Sequence, residues 1–315
     1  CVLSPDQLQT ISHVDELPPA CLSLLPIPED NLLGRVFVLG TQVDGATGEL
    51  FIYANGTDIN GQPLELSDFQ AATVSVDDTP VAYTVEAVTA GDHILSLGLI
   101  TDYSTSIGDT ELAAISSVYE NILTLLPQVF EGEVLNFSDS VVVRQDWTES
   151  NADLLAAIQL DGDMVRNNTA FYDALGTALQ RELALDSDGL VERCRPAHML
   201  IAFTDGGDNA SGTYTAAALR PIIDESNTVM IMLGTLAANS DALSELAGSN
   251  GAFAYAYDVS GIQAVVQNWS QSLSHMVKFT LSPATGFDSG VIKISVPGQT
   301  VTVSRPVDGF CEVGP

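Results

Sequence analysis

The chain has 315 residues, a length that suits two domains, and 46% of them are apolar, which is enough for a sizeable core. Ten basic residues against 41 acidic ones give a formal net charge of −31. Such a surface repels phosphate backbones and argues against nucleic acid as a partner. No apolar run approaches the ~20 residues that a membrane-spanning helix needs, so we expect no transmembrane helix.

Residues 1–33 are rich in proline and lack periodicity, which predicts a tether or a loosely packed lead-in. The sequence opens on Cys1, and a mature bacterial lipoprotein begins with a lipidated cysteine. This pattern predicts membrane attachment through Cys1 and an extracellular, cell-surface or outer-membrane location. Alternatively, Cys1 pairs with Cys21, Cys194 or Cys311 in a disulfide, and the sequence does not select among the pairings.

Two segments at either end of the chain have the pattern of short strands. Apolar runs alternate with turns of Gly, Asn, Asp and Pro across 34–92, and the alternation returns after about 277. Neither segment is long enough alone for a sandwich of ~100 residues. We therefore predict one antiparallel, immunoglobulin-like β-sandwich built from 34–92 plus 278–315, with two small independent sheets as the alternative.

The segment between them, 93–277, alternates buried strands with helices of 3.6-residue period. This alternation is typical of an α/β fold with a doubly wound, mostly parallel, Rossmann-like sheet. We therefore predict an α/β domain inserted into the sandwich. The predicted strands are 94–100, 134–143, 198–203, 229–233 and 252–257, and the predicted helices are 112–126, 154–160, 171–185, 216–223, 243–247 and 262–276.

Five residues with side-chain oxygen atoms lie just after predicted strands or just before a predicted helix. Asp102, Ser104 and Ser106 follow the first buried strand, Asp205 follows the next central strand, and Thr169 precedes a helix. Ligands of doubly wound sheets bind beyond the carboxyl ends of the strands, so these side chains are expected to converge. Two carboxylates and three hydroxyls suit a hard divalent cation such as Mg²⁺, Mn²⁺ or Ca²⁺.

Over 93–277 the sequence resembles the von Willebrand factor A family, which includes the integrin I domains. The Asp-x-Ser-x-Ser motif, the isolated threonine and the Thr-Asp-Gly motif occur in the family's order. The resemblance implies a metal-ion-dependent adhesion site, with Mg²⁺ as the preferred cation. The cation would bind an Asp or Glu carboxylate of a protein or matrix partner. Tyr103 and Asp208 are predicted to lie on the rim of this site.

Two further features of the family bear on this chain. Integrin β-subunit domains carry adjacent aspartates for a second metal, but here Asp109 is followed by Thr110, which leaves that second site incomplete. Asp109 is better explained as a helix cap or a surface charge. In integrin-type domains the last helix shifts when the metal gains a ligand, so we hypothesise that ligand binding moves the helix predicted at 262–276.

The leading functional prediction is therefore a metal-dependent adhesion or protein-binding module on a bacterial surface. The alternatives are a structural subunit of an envelope complex, which would use the same site for a permanent partner, and a metal-dependent hydrolase. No catalytic residue is predicted, because the four histidines fall away from the metal motifs and no Ser-His-Asp arrangement emerges. These histidines are His13, His93, His198 and His275.

Overall fold

The structure is a computed structural model, and it describes residues 29–305 apart from 31, 45, 90–94, 127–129, 160–161, 163, 188–195, 206, 227, 236–237, 249, 257, 283–289 and 297–298. All four cysteines, including the predicted lipidation site Cys1, lie outside the described residues, as does most of the predicted lead-in. Of that lead-in, Leu32 is fully buried in the core, so its last residues are packed rather than tethering.

The described residues contain fifteen strands and seven α-helices. The strands are β1 (Glu29–Asp30), β2 (Val36–Val43), β3 (Leu50–Gly56), β4 (Thr73–Val76), β5 (Thr79–Pro80), β6 (Tyr83–Ala87), β7 (Leu95–Asp102), β8 (Phe130–Phe137), β9 (Val141–Thr148), β10 (Ala197–Thr204), β11 (Val229–Gly234), β12 (Ala252–Tyr255), β13 (Val277–Leu281), β14 (Gly290–Val296) and β15 (Gln299–Arg305). The helices are α1 (Leu66–Gln70), α2 (Asp109–Leu125), α3 (Asn151–Ala157), α4 (Phe171–Ser187), α5 (Ala216–Ser226), α6 (Ser240–Ala247) and α7 (Val259–Gln271), and a 3₁₀ turn (Ser272–His275) follows α7.

The α/β part is built on a twisted sheet with the strand order β9-β8-β7-β10-β11-β12. These strands are parallel except β9, which pairs antiparallel with β8 at one edge, and the two-residue β1 pairs antiparallel with β12 at the other edge. The sequence predicted a single strand over 134–143, and this prediction is wrong. The polar residues Ser138, Asp139 and Ser140 form a turn there, because short polar side chains favour turns over extended pairing.

Helices cover both faces of this sheet and bury its central strands, while the edge strand β9 stays partly exposed. The face covered by α2, α3 and α7 has a core that includes Leu97, Ile115 and Trp269, and the face covered by α4, α5 and α6 has a core that includes Leu175 and Leu200. The central strands are apolar on both sides because both sides are covered. No helix in the described ranges is long and apolar enough to cross a membrane.

The β-rich segments form a sandwich of two antiparallel sheets. One sheet has the order β2-β3-β13-β6 and the other β15-β14-β4-β5, and each combines strands from before and after the α/β part. Apolar side chains such as Ile52, Phe69, Phe279 and Ile294 fill the space between the sheets. The predicted fold class, an α/β unit inserted into a β-sandwich, is confirmed, while the predicted domain boundaries stay a prediction.

The two parts meet where β2 approaches the beginning of β10. Gly40 pairs with Ala197, and a Cβ atom at Gly40 would lie 1.8 Å from the carbonyl oxygen of Pro196, so only glycine fits there. Nearby, the Asn55 side chain donates a hydrogen bond to Ser272 Oγ at 3.0 Å, in a fully buried position. The first contact connects the sandwich to the sheet that carries the candidate site, and the second connects it to the 3₁₀ turn after α7.

Candidate metal centre

The candidate site lies at the carboxyl edge of the parallel sheet, between β7 and β10. These strands are adjacent and in register from their first residues to their last, so Asp102 and Asp205 leave the sheet side by side. The chain runs from β7 to β8 and β9 on one side and returns through β10, β11 and β12 on the other. The site therefore stands where the strand order reverses, which is the position that ligands occupy in open α/β sheets.

Four of the five predicted metal ligands form one continuous chain of hydrogen bonds. The Asp102 carboxylate accepts from the Ser104 backbone N–H and from the Thr204 hydroxyl, both at 2.7 Å. The Ser104 and Ser106 hydroxyl oxygens are 2.9 Å apart. Ser106 Oγ in turn donates to Asp205 Oδ1 at 2.8 Å. The structure thus brings two carboxylates and two serine hydroxyls together within hydrogen-bonding distance.

Both carboxylates are held in an environment that disfavours their charge. Burial raises the pKa of Asp102 to about 6, against the hydrogen bonds from Thr204 and Ser104, and the nearby charge of Asp205 adds to the rise. Burial also raises the pKa of Asp205, and the negative charge of Glu111 contributes. A divalent cation would reverse this balance by favouring the ionised forms. The electrostatics of the site therefore fit a bound cation.

Thr169, the fifth predicted ligand, lies on a neighbouring loop that contacts the Asp102 loop. The backbone N–H and the hydroxyl of Thr105 both donate to the Asn167 carbonyl, at 3.1 and 3.0 Å. Thr169 is 4% exposed, and its backbone N–H donates to the Asn209 side chain at 2.7 Å. The structure therefore places Thr169 on a loop that hydrogen bonds both to the loop after Asp102 and to the loop after Asp205.

Tyr103 was predicted to form part of the rim, and the structure corrects this prediction. The residue is 2% exposed because it belongs to the core beneath the site, and the Arg166 guanidinium covers its ring at 5.7 Å. Arg166 also forms an ion pair with Asp109 at 2.7 Å. The surface at this point is consequently formed by Arg166 and by Val165, which is 73% exposed. Asp109 lies in the first turn of α2, as expected of a helix-terminal residue.

Asp208, the other predicted rim residue, is half-buried and hydrogen bonds to the beginning of α4. Its carboxylate accepts from the Tyr172 backbone N–H at 2.9 Å and also from Ser211 Oγ. Asp208 thus caps the helix that follows Thr169. Sequence reasoning missed this cap and the Asn209 contact, because both join residues about 40 positions apart.

The side chains that the structure brings together at the site offer carboxylate and hydroxyl oxygens as donors. Within the described ranges, no group of three or more His, Cys, Asp and Glu side chains is arranged to hold a metal, so a cation here depends on the hydroxyls. Hydroxyl-rich oxygen sets suit hard cations. His198 lies at the amino end of β10, where its Nδ1 contacts Glu182, and His275 lies in the 3₁₀ turn beyond α7.

Comparison with known proteins gives similarity at the level of structure. No protein family and no curated protein matches this sequence. Solved structures that match include proximal thread matrix protein 1 from the mussel byssus, at 17% identity and a TM-score of 0.47, over 62% of this chain and 49% of that one. The same mussel protein, with a zinc-occupied metal-site motif, matches at 16% identity and a TM-score of 0.46, again over 62% and 49%.

A von Willebrand factor type A protein from Catenulispora acidiphila matches at 11% identity and a TM-score of 0.46, over 85% of this chain and 70% of that one. This chain spans about half the length of the mussel protein. The assignment of the fold comes from the chain's own topology: a sheet of order β9-β8-β7-β10-β11-β12 that is parallel except at its edges, with helices on both faces. The α/β part of this chain has the von Willebrand factor A fold.

Proposed function

We propose that this chain is a metal-dependent protein-binding module that captures an acidic side chain of a partner. The observation that carries the proposal is the continuous hydrogen-bond chain from Asp102 through Ser104 and Ser106 to Asp205 at the strand-order reversal. These side chains offer only oxygen donors, and they converge where the fold presents ligands to solvent. Ser106 is exposed, so the centre is accessible from outside.

In this proposal Asp102, Ser104, Ser106, Thr169 and Asp205 hold the cation, with Mg²⁺ as the first choice and Mn²⁺ or Ca²⁺ as alternatives. When bound, the cation supplies positive charge that a partner carboxylate can bind. Serine and threonine hydroxyls coordinate without adding charge, so only the two aspartates neutralise the ion. Two aspartates at most balance the charge of the divalent ion, so the ion can accept a partner's Asp or Glu carboxylate in place of a water ligand.

Binding rather than catalysis is proposed because the described residues around the site offer no positioned general base. The two histidines within the described ranges lie elsewhere: His198 is at the opposite end of β10, and His275 is beyond α7. Asp205 and Asp102 are themselves the proposed ligands. A single cation without a positioned base is a poor hydrolase.

An extracellular or cell-surface setting, with lipidation of Cys1 as the anchor, is part of the same proposal. It is supported by the acidic composition, with lysine present only at Lys278 and Lys293. The partner is a protein or matrix that presents an acidic side chain.

Cation binding is tested by calorimetric titration of Mg²⁺, Mn²⁺ and Ca²⁺ into the wild type, Asp205→Ala and Glu120→Ala. Both substitutions remove one negative charge, but Glu120 is an exposed residue of α2 away from the site, so it controls for nonspecific attraction to the acidic chain. We expect wild-type and Glu120→Ala binding to agree and Asp205→Ala binding to be lost. Binding that survives in Asp205→Ala would refute the proposed centre.

The Asp205→Ala variant is expected to fold. Burial and Glu111 raise the pKa of Asp205, so its ionised carboxylate destabilises the metal-free protein at neutral pH. Partner capture is tested next, by screening immobilised acidic ligands in Mg²⁺ and in EDTA. Reversible, chelator-sensitive capture is expected, whereas a partner that co-purifies and resists EDTA would indicate a permanent assembly role.

A further inference from the structure

Asn209, in the loop that follows Asp205, forms hydrogen bonds with both the backbone N–H and the carbonyl group of Thr169. The Thr169 N–H donates to Asn209 Oδ1 at 2.7 Å, and the Thr169 carbonyl accepts from the backbone N–H groups of Asn209 and Ala210 at 3.0 and 3.2 Å. Among these contacts only the Asn209 amide comes from a side chain. The Thr169 loop and the loop that follows Asp205 are therefore joined at Thr169, one of the three residues expected to contribute a hydroxyl to the metal.

The loop that carries Asn209 has its own supports, which do not involve the Asn209 side chain. The Asp173 carboxylate accepts backbone N–H groups from Gly212, Thr213 and Tyr214 at 2.8 to 2.9 Å. Ser211 Oγ accepts the backbone N–H of Asp173 at 2.9 Å. Removing the Asn209 side chain would thus leave the loop in place and release the N–H side of Thr169.

We propose that Asn209 is a positioning residue of the metal centre, and this inference rests on the proposed function. Asn209 orients the peptide of Thr169 and so holds the Thr169 hydroxyl toward the same cation that Asp205 binds. A hydroxyl oxygen coordinates a cation only if it is held at coordination distance. Without the hydrogen bond to its N–H, the Thr169 peptide can rotate and move the hydroxyl away from the cation. Groups that orient metal ligands in this way typically change metal affinity 10- to 100-fold when removed.

A purely structural role for Asn209 predicts something different. The residue is exposed, so its side chain adds little to the core. Truncating it would then lower the free energy of unfolding slightly and would have no separate effect on Mg²⁺ affinity. The positioning role predicts that the effect passes through the Thr169 hydroxyl. Asn209→Asp keeps an acceptor oxygen for the Thr169 N–H and is the rescuing variant.

The experiment is a Mg²⁺ titration of the full chain in the wild type, Asn209→Ala, Asn209→Asp, Thr169→Val and the Asn209→Ala/Thr169→Val double variant. Asn60→Ala, an exposed loop asparagine of the sandwich, is the matched control. Asn209→Ala is expected to weaken Mg²⁺ binding about tenfold, Asn209→Asp to restore it, and the control to change nothing. The double variant should bind as weakly as Thr169→Val alone, because both substitutions remove the same ligand.

Wild-type affinity in Asn209→Ala would overturn the inference, and so would losses that multiply in the double variant. Failure of the proposed function gives a different pattern: the wild type binds no Mg²⁺, or Asp205→Ala binds as the wild type does. If Asp205→Ala abolishes binding while Asn209→Ala leaves it intact, the metal centre stands and only the role of Asn209 falls.

Discussion

Glu133 on β8 predicts how the stability of this protein depends on pH. The side chain is fully buried beneath α4, where Oε2 pairs with the Arg181 Nε at 2.6 Å and Oε1 has no hydrogen-bond partner. Burial raises the pKa of Glu133 to about 8 from its ordinary 4.5, against the attraction of Arg181, and the nearby Glu182 and Asp146 add to the rise. The protonated form is therefore the one that the fold accommodates.

The sign follows from the proton balance. Between pH 4.5 and 8 the folded chain holds a proton on Glu133 that the unfolded chain has released, so the free energy of unfolding falls as the pH rises through this window. One pKa unit corresponds to about 1.4 kcal/mol, so the full difference is on the order of 5 kcal/mol, of which about 3 kcal/mol falls between pH 5 and 8.

The assay is urea denaturation in EDTA at pH 5, 6, 7 and 8 for the wild type, Glu133→Gln and Glu120→Gln. Other groups also titrate in this range, Asp102 among them, so the informative quantity is the difference between variants. Glu133→Gln should gain stability relative to the wild type by about 3 kcal/mol from pH 5 to pH 8, while the exposed Glu120→Gln should follow the wild type. Parallel pH curves for the wild type and Glu133→Gln would refute the reasoning.

Three further predictions concern the site and the junction between the two parts. Thr204→Val removes the hydroxyl donor of the buried Asp102 and should lower the free energy of unfolding by about 1–3 kcal/mol in urea. Mg²⁺ at 100 times its dissociation constant should add about 2.7 kcal/mol in the same assay, and the gain should disappear in EDTA and in Asp205→Ala. Gly40→Ala forces a methyl group onto the Pro196 carbonyl and should cost about 3 kcal/mol or more, whereas an unchanged midpoint would show that the junction can relax.

The sequence predicted the architecture well because the signals were local and periodic. The central strands are continuously apolar and the helices amphipathic, so element types could be read directly. The β8–β9 hairpin was missed because Val141, Val142 and Val143 continue the apolar run past the turn, although they belong to an edge strand. Helix α1 has only five residues, too few for a periodic signal.

At the site, the motif residues were predictable and their supports were not. Asp102, Ser104 and Ser106 lie within five positions of each other, so their spacing is visible in the sequence. The contacts of Asn209 with Thr169 and of Arg166 with Tyr103 join loops 40 and 63 positions apart. These contacts depend on which loops the neighbouring strands place side by side. No local pattern in a single sequence encodes that placement.

Helices α4 and α7 differ in what they are attached to. Helix α4 is bound at its beginning by Asp208 and in its second half by the pairing of Arg181 with Glu133, and both attachments lie within the α/β part. Helix α7 is attached to the sandwich instead: the ring of Trp269 packs edge-on against Phe37 of β2, with centroids 6.3 Å apart. A displacement of α7 would therefore move a buried aromatic contact of the sandwich, whereas a displacement of α4 would first break the contact between Arg181 and the buried Glu133. If partner binding at the cation is communicated beyond the α/β part, α7 is the helix whose packing can carry it.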